Sequence, residues 1–156
     1  MFCSAHPPSS YIRAHGSQLL PGWSLPIASV LIVIQPCRVE FVERTSENER
    51  YKSELRDRFL KVGFQIALEL QKLGHLADLF DPRSGLPMLS VTGHKRLDDV
   101  AVAQSVLGYK TCDRGGCHVL VHPTLGAAVY PSTLVSSAPP AVMESVVAYI
   151  LTNKTV

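Results

Sequence analysis

From position 112 to 122 the chain reads Cys-Asp-Arg-Gly-Gly-Cys-His-Val-Leu-Val-His, which sets two cysteines and two histidines around a glycine pair. Thiolate and imidazole are the donors that soft and borderline metals prefer, so such a cluster is raw material for a metal site. A cysteine beside arginine and histidine is equally raw material for a reactive thiol, because nearby positive charge favours the thiolate. A third reading needs no chemistry at all. Gly115 and Gly116 then make a tight turn, and Cys117 and Val119 face the core from the strand that follows.

Spacing weighs against the first two. Structural zinc sites join a short cysteine pair to a distant second pair, whereas Cys112, Cys117, His118 and His122 lie in one short segment. Side chains alternate between the faces of a strand, so Cys117 turns away from His118 and His122 and the four do not converge. Nucleophilic catalysis needs a base within reach of the thiol. Gly115 and Gly116 offer N–H groups for an oxyanion, but the base would have to be His75, expected at the surface, or His94, expected in a polar loop. His122, ahead of Pro123, reads as a strand-end residue with local partners. No catalytic residue and no resident metal is expected.

The elements that position this stretch are legible to different degrees. Ile27 to Ile34 is apolar and rich in β-branched residues, as a buried strand is. Pro36 is expected to stop it, with a further short strand at Val39 to Val42. A long helix is expected from about Glu47 to Leu73. It opens with a capping box at Ser46 and Glu49 and carries Leu55, Phe59, Val62, Ile66, Leu70 and Leu73 as an apolar stripe, widened by Leu60, Phe64 and Leu68. Gly74 stands where a terminating glycine belongs. A short strand at Leu76 to Phe80 leads to the turn Asp81-Pro82-Arg83-Ser84-Gly85, with Leu86 to Val91 as a returning strand. A helix follows from Asp98 to Leu107. Residues 112–116 are expected as a loop, His118 to His122 and Leu125 to Tyr130 as strands. A last helix starts near Ser137, with Val142, Val146, Tyr149 and Ile150 toward the core. Strands separated by long helices, with the late strands close together, give an α+β sandwich.

Composition bounds the rest. The chain has 156 residues, 46% of them hydrophobic and 18% charged, with a formal net charge of +2. That balance is too weak to argue for nucleic acid or an anionic membrane as partner. No apolar run approaches the roughly 20 residues of a membrane-spanning helix. Four irregularly spaced cysteines are not a disulfide framework, so free thiols in a reducing compartment are expected. No acidic residue precedes Glu40, and residues 1–25 read as a flexible, poorly specified arm with weak transit-like character. Residues 26–156 read as one α+β domain. No dinucleotide or triphosphate fingerprint is present.

A family resemblance covers about residues 27–138. The order Gly74-His-Leu-Ala-Asp78, Leu-Phe-Asp81-Pro82-Arg-Ser84-Gly85-Leu86, Leu107-Gly108-Tyr109, Asp113-Arg-Gly115-Gly-Cys117, Val119-Leu-Val-His122 and Leu125-Gly126 resembles the methylmalonic aciduria and homocystinuria type D (CblD) family of cobalamin trafficking proteins. The resemblance implies a nitroreductase/flavin-reductase-like α+β sandwich that binds no flavin. It implies an adaptor rather than an enzyme, with no cofactor held alone. The adaptor engages a CblC-like partner carrying cob(II)alamin and directs cobalamin to cytosolic methionine synthase and mitochondrial methylmalonyl-CoA mutase. It also implies a cobalt-binding thiolate from the loop containing Cys112, Gly115, Gly116 and Cys117. The chain departs from the animal members there: they read Gly-Cys-Cys, the first cysteine being the cobalt ligand, and Gly116 occupies that position. Three readings follow: Cys117 is the donor, Cys112 reaches in from the other end of the loop, or the chain keeps the fold and partner surface without binding cobalt by thiolate; Arg114 is placed to favour a thiolate. Two alternatives use the same residues. One is a flavin-dependent reductase on the same fold, against which stands the lack of an obvious basic cluster for a flavin phosphate. The other is a small zinc-binding interaction module.

Overall fold

The computed structural model describes residues 1–153. In chain order its elements are β1 (Phe2–His6), α1 (Ser10–Leu19), β2 (Ser29–Pro36), α2 (Ser46–Lys72), β3 (Ala77–Leu79), α3 (Asp99–Leu107), β4 (Lys110–Arg114), β5 (Cys117–Val121), β6 (Val129–Ser136) and α4 (Pro140–Asn153). Helices and antiparallel strands are both present, in agreement with the α+β reading.

The centre is β2. Val30, Ile32 and Ile34 point to one face of the sheet and Leu31 and Val33 to the other, and all five are buried. A strand covered on both faces has no polar side to show, which is why its sequence is a continuous apolar run. It pairs antiparallel with β6 along the full length of both, from Ser29↔Ser136 to Pro36↔Val129. The sheet order is β1-β2-β6-β3. Pro36 closes the β2 ladder from inside its last pair. Pro131 sits within β6 although proline cannot donate to a ladder. Pairing with β3 involves only Leu134 to Ser136, so at Pro131 the side away from β2 is an open edge.

Helices cover both faces. Leu31, Val33, Leu79 and Leu134 pack against Phe59, Ile66 and Leu70 of α2 and Met143 of α4. Val30, Ile32, Ile34 and Val135 pack against Ile12 and Leu19 of α1, Val102 and Ala103 of α3, and Leu120 of β5. The α2 cap differs from the expected box. Thr45 is the capping residue, its Oγ1 accepting from the Asn48 N–H at 3.1 Å, while the Asn48 side chain donates to the Glu43 carbonyl. The stripe is narrower than expected, since Leu68 and Leu73 are exposed. In α4 Met143, Val146 and Val147 are buried and Val142 and Ile150 pack against them as expected, whereas Tyr149 is 59% exposed.

The N-terminal arm expected over residues 1–25 is instead ordered structure. β1 pairs with β2 from Phe2↔Ile34 to His6↔Val30. α1 buries Ile12 and Leu19, Leu20 follows them into the core, and Trp23 Nε1 donates to Ser90 Oγ at 3.0 Å. Both elements take their stability from what they cover, and neither carries a strong local pattern. Two expected strands are missing among the described residues. Residues 39–42 form no ladder, and Leu86 to Val91 contributes one bridge, Phe80↔Pro87. The strand expected from Leu125 starts at Val129, after a turn closed by reciprocal His122 and Gly126 bonds of 2.8 and 2.9 Å.

Phe59 is 1% exposed at the middle of the α2 interface and Leu68 is 49% exposed on the same helix. Phe59→Ala is expected to destabilise the fold by about 3–5 kcal/mol, and Leu68→Ala by under about 1 kcal/mol. Urea unfolding of the two variants checks this, and equal losses would contradict the packing described.

Candidate functional site

The cysteine-bearing stretch is a β-hairpin. β4 and β5 pair as Lys110↔Val121, Thr111↔Leu120, Cys112↔Val119, Asp113↔His118 and Arg114↔Cys117, leaving Gly115-Gly116 as the connection. Both glycines have positive φ, +55° and +80°, as a two-residue hairpin turn requires. The expected loop over 112–116 is therefore a strand up to Arg114. Lys110-Thr-Cys-Asp-Arg has no alternating apolar face, so β4 left little trace in the sequence.

Residues paired directly across a ladder share a face, and the face alternates along the strand. Cys112, Arg114, Cys117 and Val119 thus lie on one face, and Asp113, His118 and Leu120 on the other. Leu120 is buried and roots the hairpin in the core. The reading in which Cys117 and Val119 face the core is reversed. Cys117 is exposed at the hairpin tip, while Cys112 is half-buried; both are free thiols.

The surroundings are charged. Arg114 Nη1 lies 3.8 Å from Glu40 Oε2, and its guanidinium is held above its ordinary pKa by the neighbouring Cys112 and then by Glu40. A Cβ on Gly115 would stand 2.7 Å from the Val42 carbonyl oxygen, so residues 40–42 lie against the turn. On the opposite face His118 Nδ1 is 3.2 Å from Asp113 Oδ1. The Nδ1 of His122 accepts the Thr124 and Leu125 N–H groups at 3.2 and 3.3 Å, so this histidine serves its own turn. His94 is exposed and His75 half-buried, both outside the hairpin. Among the described residues no three His, Cys, Asp or Glu side chains converge as a metal site. The hairpin offers one accessible thiol with a cation directly across the ladder. Such a group is a monodentate soft donor suited to a metal that another molecule holds.

The turn after β3 is built by two carboxylates. Asp78 is buried, and its Oδ1 accepts from the N–H groups of Leu79, Met88 and Leu89 at 2.8, 3.1 and 3.0 Å. Those bonds replace a ladder, which explains why Leu86 to Val91 is not a strand. Asp81 takes a bidentate pair from Arg56, Nε to Oδ1 at 2.7 Å and Nη2 to Oδ2 at 2.8 Å, and also accepts the Arg83 N–H at 2.9 Å. The Arg56 bonds hold the Asp81 carboxyl below its ordinary pKa. The Asp-x-x-Asp-Pro-x-Ser-Gly motif is thus a scaffold in which carboxylates satisfy backbone donors.

This turn also gathers what the sequence kept apart. Arg50, Lys52 and Arg56 of α2, Arg83 of the turn and Tyr130 of β6 line one cavity of about 500 Å³. The apparent lack of a basic cluster is therefore corrected: the residues come from distant positions and meet only in the fold. Beside it, Asp99 has a buried carboxyl oxygen with no hydrogen-bond partner among the described residues; Thr133 is near, but no bond of good geometry closes. Burial pushes the Asp99 carboxyl from 3.8 up to about 8.

Comparison with known proteins is informative against this geometry. The sequence profile of the family described as methylmalonic aciduria and homocystinuria type D protein matches residues 3–147. The chain belongs to this family. Cobalamin trafficking protein CblD from Homo sapiens is 24% identical over 138 residues, covering 88% of this chain and 47% of that protein. The chain thus spans about half the length of this CblD relative. The match takes in β1 and α1, consistent with their place in the sheet and core, and it includes the hairpin. No helix among the described residues is long and apolar enough to cross a membrane.

Two outcomes follow from the CblD-family site. Gly115→Ala forces a strained αL alanine and a clash with Val42, whereas Gly116→Ala adds strain with open space around it. Gly116→Ala is expected to lose about 1–2 kcal/mol in chemical denaturation and Gly115→Ala clearly more. For Asp99, the folded state keeps a proton that the unfolded chain releases near pH 3.8. The protection is full below that pH and is lost as pH rises toward 8, at up to about 1.4 kcal/mol per pH unit. Asp99→Asn is expected to flatten the fall in stability between pH 5 and 8, measured by unfolding at a series of pH values.

Proposed function

We propose that this chain is a cobalamin trafficking adaptor. In this reading it engages a CblC-like partner that carries cob(II)alamin and passes cobalamin toward methionine synthase in the cytosol and methylmalonyl-CoA mutase in the mitochondrion. It works by contact and ligation, without catalysis and without a cofactor held alone. The observation that carries the proposal is family membership across residues 3–147, which include the hairpin bearing Cys117. Helices on both faces of an antiparallel sheet support the further reading of a nitroreductase-like frame.

Cys117 is the proposed cobalt donor. It is exposed at the tip, whereas Cys112 is half-buried beside Arg114. A thiolate is a better donor for low-valent cobalt than a carboxylate, and Arg114 stands directly across the ladder from Cys117. The partner holds the corrin and the hairpin supplies one axial ligand, so a single side chain suffices. Gly115 and Gly116, free of side chains, let the backbone approach the flat macrocycle. Gly116, where animal members place their ligating cysteine, has open space around it.

The test is the visible spectrum of cob(II)alamin on a CblC-like partner as this protein is added. Wild type is expected to form the complex and shift the spectrum. Cys117→Ser is expected to keep the complex and lose the shift, and Cys112→Ser to keep both. Loss of the shift only in Cys112→Ser would move the donor to the other strand. A complex without a shift would leave an adaptor that acts by contact, and the absence of both would overturn the proposal.

A further inference from the structure

We infer that the cleft between the first half of α2 and the Asp81–Gly85 turn binds a small phosphate monoester. Its cavity, about 500 Å³, lies in the range of small-molecule sites. Four of its lining side chains are cationic, Arg50, Lys52, Arg56 and Arg83, against one carboxylate, Glu49. The existing ion pairs leave positive charge over. Lys52 is paired with Glu49 at 3.2 Å and Arg56 with Asp81 at 2.7 Å, while Arg50 and Arg83 have no carboxylate partner among the described residues. Two planar guanidinium groups facing one cavity suit the dianion of a phosphate monoester, whose oxygens accept from them in pairs.

The walls are fixed before any ligand arrives. The backbone carrying Arg83 is tied by its own N–H to Asp81 Oδ1, by the Ser84 and Gly85 N–H groups to the Asp81 carbonyl at 3.2 and 2.7 Å, and by the Asp81 N–H to Leu86. Asp81 is held in turn by Arg56, which joins the turn to α2. The backbone of the turn therefore needs no rearrangement on binding. Pro82, Arg83 and Tyr130 also wall a second cavity of about 410 Å³, which is lined by Arg96 and Asp99. Tyr130 lines both cavities, so the second offers space for the body of an organic ester whose phosphate sits among the arginines.

The inference stands apart from the trafficking proposal, since none of these residues lies in the hairpin. Calorimetric titration of the full chain with AMP tests it, with adenosine and sodium chloride at matched ionic strength as controls. AMP is expected to bind saturably and the controls to give no saturable signal. Arg50→Ala and Arg83→Ala are each expected to weaken AMP roughly tenfold or more, with partial recovery in Arg83→Lys, while Arg58→Ala on the same helix changes nothing. A non-saturable response matched by salt would overturn the inference. So would equal binding of adenosine, or equal losses in Arg58→Ala. The cob(II)alamin spectrum would be unaffected by any of these results, so the two proposals fail separately.

Discussion

The antiparallel ladder between β2 and β6, buried on both faces, is the constraint on which the rest depends. Ser29 to Pro36 is matched residue for residue by Val129 to Ser136, so the backbone polar groups of the most apolar segment find partners without water. A sheet apolar on both sides must be covered twice. α2 and α4 do this on the Leu31 and Val33 side, and α1, α3 and the root of the hairpin do it on the Val30 and Ile32 side. Leu120 matters for this reason. It ties a hairpin that shares no ladder with the main sheet to the centre of the molecule, and so gives the exposed Cys117 a defined position.

The second constraint is the pair of carboxylates after β3. A chain leaving a buried strand carries N–H groups that need acceptors. Asp78 supplies one oxygen to three of them, and Asp81 accepts from the Arg83 backbone and from Arg56. Charge-assisted bonds of this kind are stronger than neutral ones. They fix a turn from which Arg83 projects beside α2. These motif carboxylates therefore do structural work, while their neighbours Arg50 and Arg83 have no carboxylate partner among the described residues.

What was legible in the sequence tracks how local the cause is. β2 announced itself because every side chain is buried. α2 did so through its stripe, and α3 through Asp98 at its start and Gly108 at its end. β1, α1 and β4 stayed hidden because their sequences are mixed and their order comes from the surfaces they cover. The strand expected over Leu125 to Tyr130 instead runs from Val129 to Ser136, and the incomplete reach of β3 makes room for Pro131 within it. In the site, the tight turn at Gly115-Gly116 was legible and the direction of Cys117 was not. Parity along a strand depends on where pairing begins, and β4 was not visible to set it. The cationic cleft was invisible for another reason: positions 50–56, 83 and 130 are far apart in the chain and meet only across the sheet edge.

In the proposal that Cys117 is the donor, its place one residue after Gly116 has a geometric meaning in this fold. Residue 116 lies in the two-residue turn at φ +80°, with nothing within 4 Å of a Cβ there, so a side chain at that point leans on no neighbour. Residue 117 is the first of β5, paired with Arg114, and its side chain direction is set by the ladder. Moving the thiol from turn to strand exchanges reach for orientation. It also places Cys117 directly across the ladder from Arg114, whose guanidinium neighbours Cys112 and Glu40.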